Sequence, residues 1–295
     1  MRLSISLTDF SWPGGAEGLV LGLGRVASDA EAAGLDTLWV ADHLLQADPN
    51  SRPDEPMLEA YTTLGFLAGG TRRLRLGTLV TAVTFRPPTV LIKAVTTLDV
   101  LSGGRAWLGL GAGYANDEAS AMGLPLPPTA ERFEHLEDTL RLANQMWAGD
   151  ASPFQGSHHR AEHPISSPPP LTRPRPPILV GGMGERKTLR LVAEYADACN
   201  LFDIPDGGKT IRHKLDVLAR HCEELDRDPA TIETTLSSRL APGETAEQFA
   251  ERCADLAAHG IDLVVLITTG PWSDPDLETL AGAARLVEAI RTATT

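Results

Sequence analysis

Along the chain, short β-branched runs alternate with longer segments whose apolar positions recur every three or four residues. Residues 3–7 read as a strand. A helix follows in which Leu19, Leu23, Val26, Ala30 and Ala33 are spaced by four, three, four and three residues, which puts them on one buried face. Gly34 closes this helix as a C-terminal cap, and Thr37-Leu38-Trp39-Val40 begins the next strand. The pattern goes on with helices over 56–69, 88–101, 132–147 and 186–196 and strands over 74–83, 106–110 and 178–180. Three further strand and helix pairs fall at 198–202 with 209–225, 232–237 with 246–259, and 263–268 with 277–290.

Eight β/α units result, and this strict alternation predicts an α/β fold, a closed (β/α)8 TIM barrel in which residues 1–295 form one domain. Periodicity alone leaves an open doubly wound sheet available. Residues 149–177 contain Ser-Pro-Pro-Pro and Arg-Pro-Arg-Pro-Pro, which exclude helix, and the stretch is too short for a domain. It reads as an irregular Pro-rich excursion between helix 4 and strand 5.

Composition narrows the function classes. With 42% hydrophobic and 22% charged residues the chain is an ordinary globular one, and a formal net charge of -13 argues against nucleic-acid or anionic-membrane partners. The first residues lack a secretion signal and no apolar run approaches bilayer length, so a cytoplasmic location is expected. Cys199, Cys222 and Cys253 sit in apolar patterns and read as reduced packing thiols.

In such a barrel the working residues follow the strands at their C-terminal ends. Asp42-His43 follows one strand, and histidine there can exchange a proton near neutral pH; a structural His beside an Asp is the plainer alternative. The run 76–83 ends a strand in small and β-branched residues, whose plainer role is barrel core. In Gly109-Leu110-Gly111-Ala112-Gly113-Tyr114, glycine at every second position would strip the strand end of side chains and admit a planar ligand. Gly181-Gly182-Met183-Gly184 precedes Glu185-Arg186-Lys187 and can offer backbone N–H groups to a phosphate, or be simply a tight turn. Trp12, Phe85, Tyr114 and Trp272 are candidate aromatic lining, equally explained by packing. His158, His159 and His163 lie in the Pro-rich excursion without acidic ligand spacing around them, so a solvated loop is expected there and no metal site. Phosphate-loop and Rossmann fingerprints are absent.

Taken in order, Leu38-Trp39-Val40-Ala41-Asp42-His43, residues 56–65, residues 97–105, residues 109–114 and residues 177–197 resemble the luciferase-like monooxygenase superfamily, specifically its coenzyme F420-dependent branch. The resemblance implies an oxidoreductase whose cofactor ring lies at the barrel mouth. The implied cofactor-binding residues are Asp42, His43, Leu79, Val80, Ala82, Ala112, Gly113, Asp117, Val180, Gly181, Gly182 and Met183, with the phosphate at Gly181-Gly182. His43 and Tyr114 become the candidates for proton transfer. It further implies a cis bond at Leu79–Val80, a small-molecule substrate and a homodimer. Sugar-phosphate dehydrogenases of this branch carry an acidic glutamate where Tyr114 stands, which argues against glucose-6-phosphate oxidation. Hydride transfer with F420, with reduction of an activated C=C or C=N bond favoured, is the first expectation. An FMN-dependent monooxygenase served by a partner reductase is the alternative, and a non-catalytic flavin-binding barrel the second alternative.

Overall fold

The computed structural model describes residues 1–48 and 51–294, with side chains through residue 289. In chain order the first half contains β1 (Arg2–Leu7), α1 (Gly15–Ala32), β2 (Thr37–Val40), α2 (Ala60–Gly70), β3 (Arg75–Thr78), β4 (Thr81–Ala82), α3 (Pro88–Ser102), β5 (Leu108–Gly111) and α4 (Asn116–Met122). The rest contains α5 (Thr129–Trp147), β6 (Phe154–Gln155), β7 (Arg160–Ala161), β8 (Ile178–Gly181), α6 (Thr188–Tyr195), β9 (Ala198–Phe202), α7 (Lys209–Glu224), β10 (Glu233–Ser238), α8 (Ala246–Ala258), β11 (Leu263–Ile267) and α9 (Asp274–Thr294).

One parallel sheet runs β3-β2-β1-β11-β10-β9-β8-β5-β4. Its ends meet: Leu76 N donates to Arg105 O at 2.9 Å, and Trp107 N donates to Leu76 O at 2.8 Å. The result is the α/β barrel expected from the alternation of elements.

Period-two alternation along the strands sorts side chains into two cores. Leu3, Ile5, Leu7, Leu38, Val40, Leu108, Leu110 and Val180 face the helix layer, where they meet Leu23, Val26, Leu64, Leu91, Leu140 and Phe249. The lumen holds a separate cluster of Trp39, Trp107, Leu179, Ala198, Leu263 and Val265, with Leu79 and Val80 packed on it. Trp39 and Trp107, 5.7 Å apart at 54°, plug the N-terminal part of the barrel. Closer to the mouth the lumen turns polar: Asn200 Nδ2 donates to Thr235 Oγ1 at 2.9 Å, and Ser237 Oγ donates to Asn200 Oδ1 at 2.9 Å. The open, polar end of the lumen is therefore the C-terminal mouth.

Several boundaries differ from those the sequence pattern predicts. The strand expected over 74–83 is two strands: Leu79 N donates to Val40 O, whereas Val83 N donates to Gly111 O, so the chain changes neighbours between them. The second helix starts at Ala60 and not at residue 56, because the Glu59 side chain accepts from Thr62 N and caps it there. Helix α4 is an addition, too short to show a period. Within the Pro-rich interval, β6 and β7 form an antiparallel hairpin. Among the described residues no helix is long and apolar enough to cross a membrane.

Candidate functional site at the barrel mouth

His43 follows β2 at the mouth, and its partner is a residue the sequence pattern did not single out. Its Nδ1 donates to Glu118 Oε2 at 2.7 Å, while Glu118 Oε1 accepts from the N–H groups of Leu44 and Leu45. Glu118 is buried in the first turn of α4. Burial by itself would raise its pKa, but the hydrogen bonds from His43 and Leu44 outweigh that and hold the carboxyl below the usual glutamate range. The ionised carboxylate fixes the hydrogen of His43 on Nδ1 and leaves Nε2 to take or give a proton. Asp117, the neighbour expected to bind cofactor, is exposed. The signal that could have found Glu118 is Asn-Asp-Glu, acidic residues favouring a helix N-terminus, followed seven residues after Asn116 by Gly123 in the left-handed region at φ 66°.

Glu118→Gln keeps an acceptor for the Leu44 and Leu45 N–H groups but removes the charge beside His43. Turnover should fall by about tenfold or more with KM little changed, as expected of a positioning residue. A pH series supplies a second readout. Since folding lowers the Glu118 pKa, its contribution to stability is fully present above the unfolded value of about 4.3 and is lost as pH falls through the folded value. The stability gap between wild type and E118Q, measured by urea unfolding, should be full near neutrality and close below roughly pH 4. A gap constant down to about pH 3 would contradict this assignment.

The Asp42 side chain, expected to help bind cofactor, is held inside an ion-pair network below the mouth surface. Its side chain has no exposed area, and its carboxylate accepts from Arg86 Nη1 at 2.6 Å, Arg86 Nη2 at 2.9 Å and Thr81 Oγ1 at 2.6 Å. Arg86 also reaches Glu59 at 2.5 Å and lies 4.8 Å from the Tyr61 ring. Asp42 thus ties the end of β2 to β4 and the loop that leads out of it.

The Leu79–Val80 peptide bond is cis. Both residues are partly buried and lie on the lumen cluster, forming a small apolar floor at the mouth. The alternating glycines of β5 serve this segment first. A Cβ on Gly109 would lie 1.8 Å from Thr78 O, one on Gly111 2.8 Å from Val80 Cγ2, and one on Gly113 3.1 Å from Ala82 Cβ. Gly181, across the lumen, would meet Val80 Cγ1 at 3.0 Å. The space these glycines leave is thus largely taken by the neighbouring strand, and what reaches the mouth is a side-chain-poor surface of Leu79, Val80, Gly113 and Gly181, with Ala112 packed on the helix-side core. Ala82 is buried against Gly113, and Val180 is buried in the core on the helix side.

The segment after β8, where a phosphate is expected, begins differently from the pattern. Gly182 N donates to Asn200 O at 3.2 Å and is committed to the sheet, and the helix opens at Thr188, two residues later than expected. The turn at 183–187 lies between, with Arg186 and Lys187 exposed. Met183 is partly buried, and its Sδ accepts from Phe202 N at 3.4 Å.

Of the aromatic candidates, Trp12 and Trp272 are core residues: Trp12 Nε1 donates to Trp272 O at 3.0 Å and Trp272 Nε1 to Ser6 O at 2.9 Å. Tyr114 is 73% exposed with its ring 5.9 Å from that of His43, edge-on. Phe202, at the end of β9, and Ile204, just beyond it, both unremarked in the sequence, are exposed apolar residues. The cysteines are buried and free, and burial pushes the thiols of Cys199 and Cys253 up to about 12, which leaves them inert.

Comparison with known proteins adds to this geometry. The sequence pattern of the luciferase-like monooxygenase family matches residues 1–293. An F420-dependent glucose-6-phosphate dehydrogenase of Kineococcus radiotolerans is 32% identical over 241 residues, 76% of this chain and 66% of that protein. One from Microbacterium testaceum is 32% identical over 169 residues, 57% of this chain and 48% of that protein. The chain spans about half to two thirds of the length of these two relatives. Among solved structures, an F420-dependent secondary alcohol dehydrogenase in complex with an F420-acetone adduct superposes with a TM-score of 0.82 at 17% identity, covering 97% of this chain and 98% of that one. Monooxygenase RslO1 from Streptomyces bottropensis superposes with 0.80 at 18% identity over 100% of both chains. At those identities the likeness is one of fold.

Proposed function

The chain belongs to the luciferase-like monooxygenase family, and from that premise we propose that it is a coenzyme F420-dependent oxidoreductase acting on a small organic substrate. The observation that carries this proposal is the pairing of His43 with buried Glu118 beside an apolar floor. The residues present fit a planar ring: Leu79 and Val80 would lie under it, Gly113 and Gly181 beside it, and His43 at its edge. Ser6 Oγ, in the polar layer of the lumen, is buried with no hydrogen-bond partner. The turn at 183–187, with Arg186 and Lys187, would hold the phosphate.

A bound deazaflavin supplies or accepts a hydride and reacts poorly with oxygen, because carbon stands where flavin has a reactive nitrogen. Reducing an activated C=C or C=N bond requires a proton on the atom adjacent to the one receiving hydride, and oxidising an alcohol requires the hydroxyl proton to leave. His43 Nε2 is the group placed to handle that proton, with Glu118 holding the ring and Tyr114 alongside. Reduction is the direction to test first. Tyr114 stands where the sugar-phosphate dehydrogenases carry their glutamate, so glucose-6-phosphate should give no turnover.

Titration of the protein with F420 and with FMN tests the cofactor. Tighter F420 binding is expected; equal or tighter FMN binding would favour the monooxygenase served by a separate reductase, and binding without turnover would favour a non-catalytic barrel. Gly182 has a φ of 115°, and a β-branched residue forced into that region costs about 1–3 kcal/mol. Gly182→Val should therefore weaken F420 binding by roughly tenfold; an unchanged affinity would remove this turn from the phosphate site. A second copy would pack on the α2–α3 flank, where Phe66, Val90, Leu101 and Ile165 are exposed. A monomer in sedimentation at micromolar concentration would refute the dimer.

A further inference from the structure

We infer a divalent transition-metal site on the outer flank of α5, built from Glu131, His135 and His158, with His159 and Glu134 at its margin. Glu131, Glu134, His135 and Asp138 fall at helical positions i, i+3, i+4 and i+7, which places them along one face of α5. The turn between β6 and β7 delivers His158 and His159 onto that face. Donor atoms of Glu131, His135 and His158 lie within 4.8 Å of one another. The His135 and His158 rings stack at 4.3 Å, His135 Nδ1 is 3.0 Å from His159 Nε2, and Glu131 Oε1 is 3.6 Å from His135 Nε2.

The scaffold beneath this cluster is rigid. Asp138, almost fully buried, accepts from the backbone N–H groups of Ser157 at 3.0 Å, His158 at 2.7 Å and His159 at 3.2 Å. Gly156 makes that approach feasible, since a Cβ there would lie 2.3 Å from Asp138 Oδ1. One carboxylate thus pins the two histidines against α5, independently of any ligand. The sequence offered no acidic spacing around these histidines because the acids arrive from a helix more than twenty residues earlier.

Imidazole with carboxylate is the donor set of zinc and its neighbours, not of magnesium or calcium, which take oxygen ligands. Zinc–nitrogen bonds of about 2.0–2.1 Å need donors roughly 3.3 Å apart, so binding would draw the three donors together, with His158 leaving Glu134, which it reaches at 2.7 Å without an ion. An ion held there would fasten the β6–β7 hairpin to the helix whose Arg132 donates to Gly113 O at 2.6 Å, at the edge of the mouth.

The test is calorimetric titration of the full chain, free of any polyhistidine tag and stripped with chelator, with zinc chloride and separately with magnesium chloride. One equivalent of zinc should bind in the micromolar range or tighter and raise the melting temperature, with no response to magnesium. His158→Asn, at an exposed position that leaves the helix untouched, should weaken zinc binding by at least about tenfold, and His135→Asn should do the same. Absence of saturable zinc binding, or binding of equal strength in both variants, would overturn the site. Circular dichroism melts of the metal-free variants show whether each is folded, so that a loss of binding is read only from folded protein.

Discussion

Replacing His43 with alanine should lower turnover by about a hundredfold or more while the barrel stays folded. The loss follows from position: His43 stands at the mouth with Nδ1 held by the Glu118 carboxylate, which leaves Nε2 to handle the substrate proton. The fold survives because Glu118 would still accept from the N–H groups of Leu44 and Leu45 and so would not become a buried charge without partners. Stopped-flow measurement of hydride transfer with the reduced cofactor, alongside circular dichroism, checks both halves. The two substitutions should also be non-additive: H43A with E118Q should be no slower than H43A alone, since Glu118 acts through His43. Turnover unchanged in H43A would reduce His43 to a packing residue.

Asp42→Ala is expected to be the most damaging change to stability among the residues around the site, by about 3 kcal/mol or more. Burial would lower the pKa of the Arg86 guanidinium, yet its hydrogen bonds and charge interaction with Asp42 raise it further still, a sign of how closely the pair is matched. With Asp42 removed, Arg86 keeps the Tyr61 ring and Glu59, whose side chain is 39% exposed and solvent-screened, and Thr81 Oγ1 loses its carboxylate acceptor. Urea unfolding measures the loss. Activity should fall as well, because Asp42 joins β2, which carries His43, to the strand that follows the Leu79–Val80 floor. A loss below about 1 kcal/mol would mean that water or Glu59 replaces the carboxylate.

The chain's own pattern carried a large part of the fold. Thr37–Val40 and Ala198–Phe202 are strands at the positions their β-branched and apolar content predicts. Gly34, at φ 74°, ends the first helix as its position in the pattern requires. His43 and the glycine-rich strand ends were visible because barrel chemistry sits where strands stop. The resemblance to the F420 branch located the cis bond at Leu79–Val80, which periodicity does not encode.

What sequence alone determined is local: which segments are helix or strand, where turns fall, and which residues follow the strands. Tertiary structure decided everything that depends on which distant groups meet. Nothing along the chain announces that Asp42 ties β2 to β4, which only the approach of Arg86 and Thr81 brings about. Val180 and Gly181 are neighbours in one strand, yet alternation sends the first to the helix layer and the second to the lumen, and packing alone selects that parity. Glu118 lies in a seven-residue helix without a period, and it gains meaning only because the loop after β2 brings His43, seventy-five positions earlier, to within 2.7 Å. The acids of α5 and the histidines of the hairpin are joined in the same way, by a buried carboxylate that no local pattern announces. Periodicity is a property of neighbours along the chain, whereas a site is made by contacts across it.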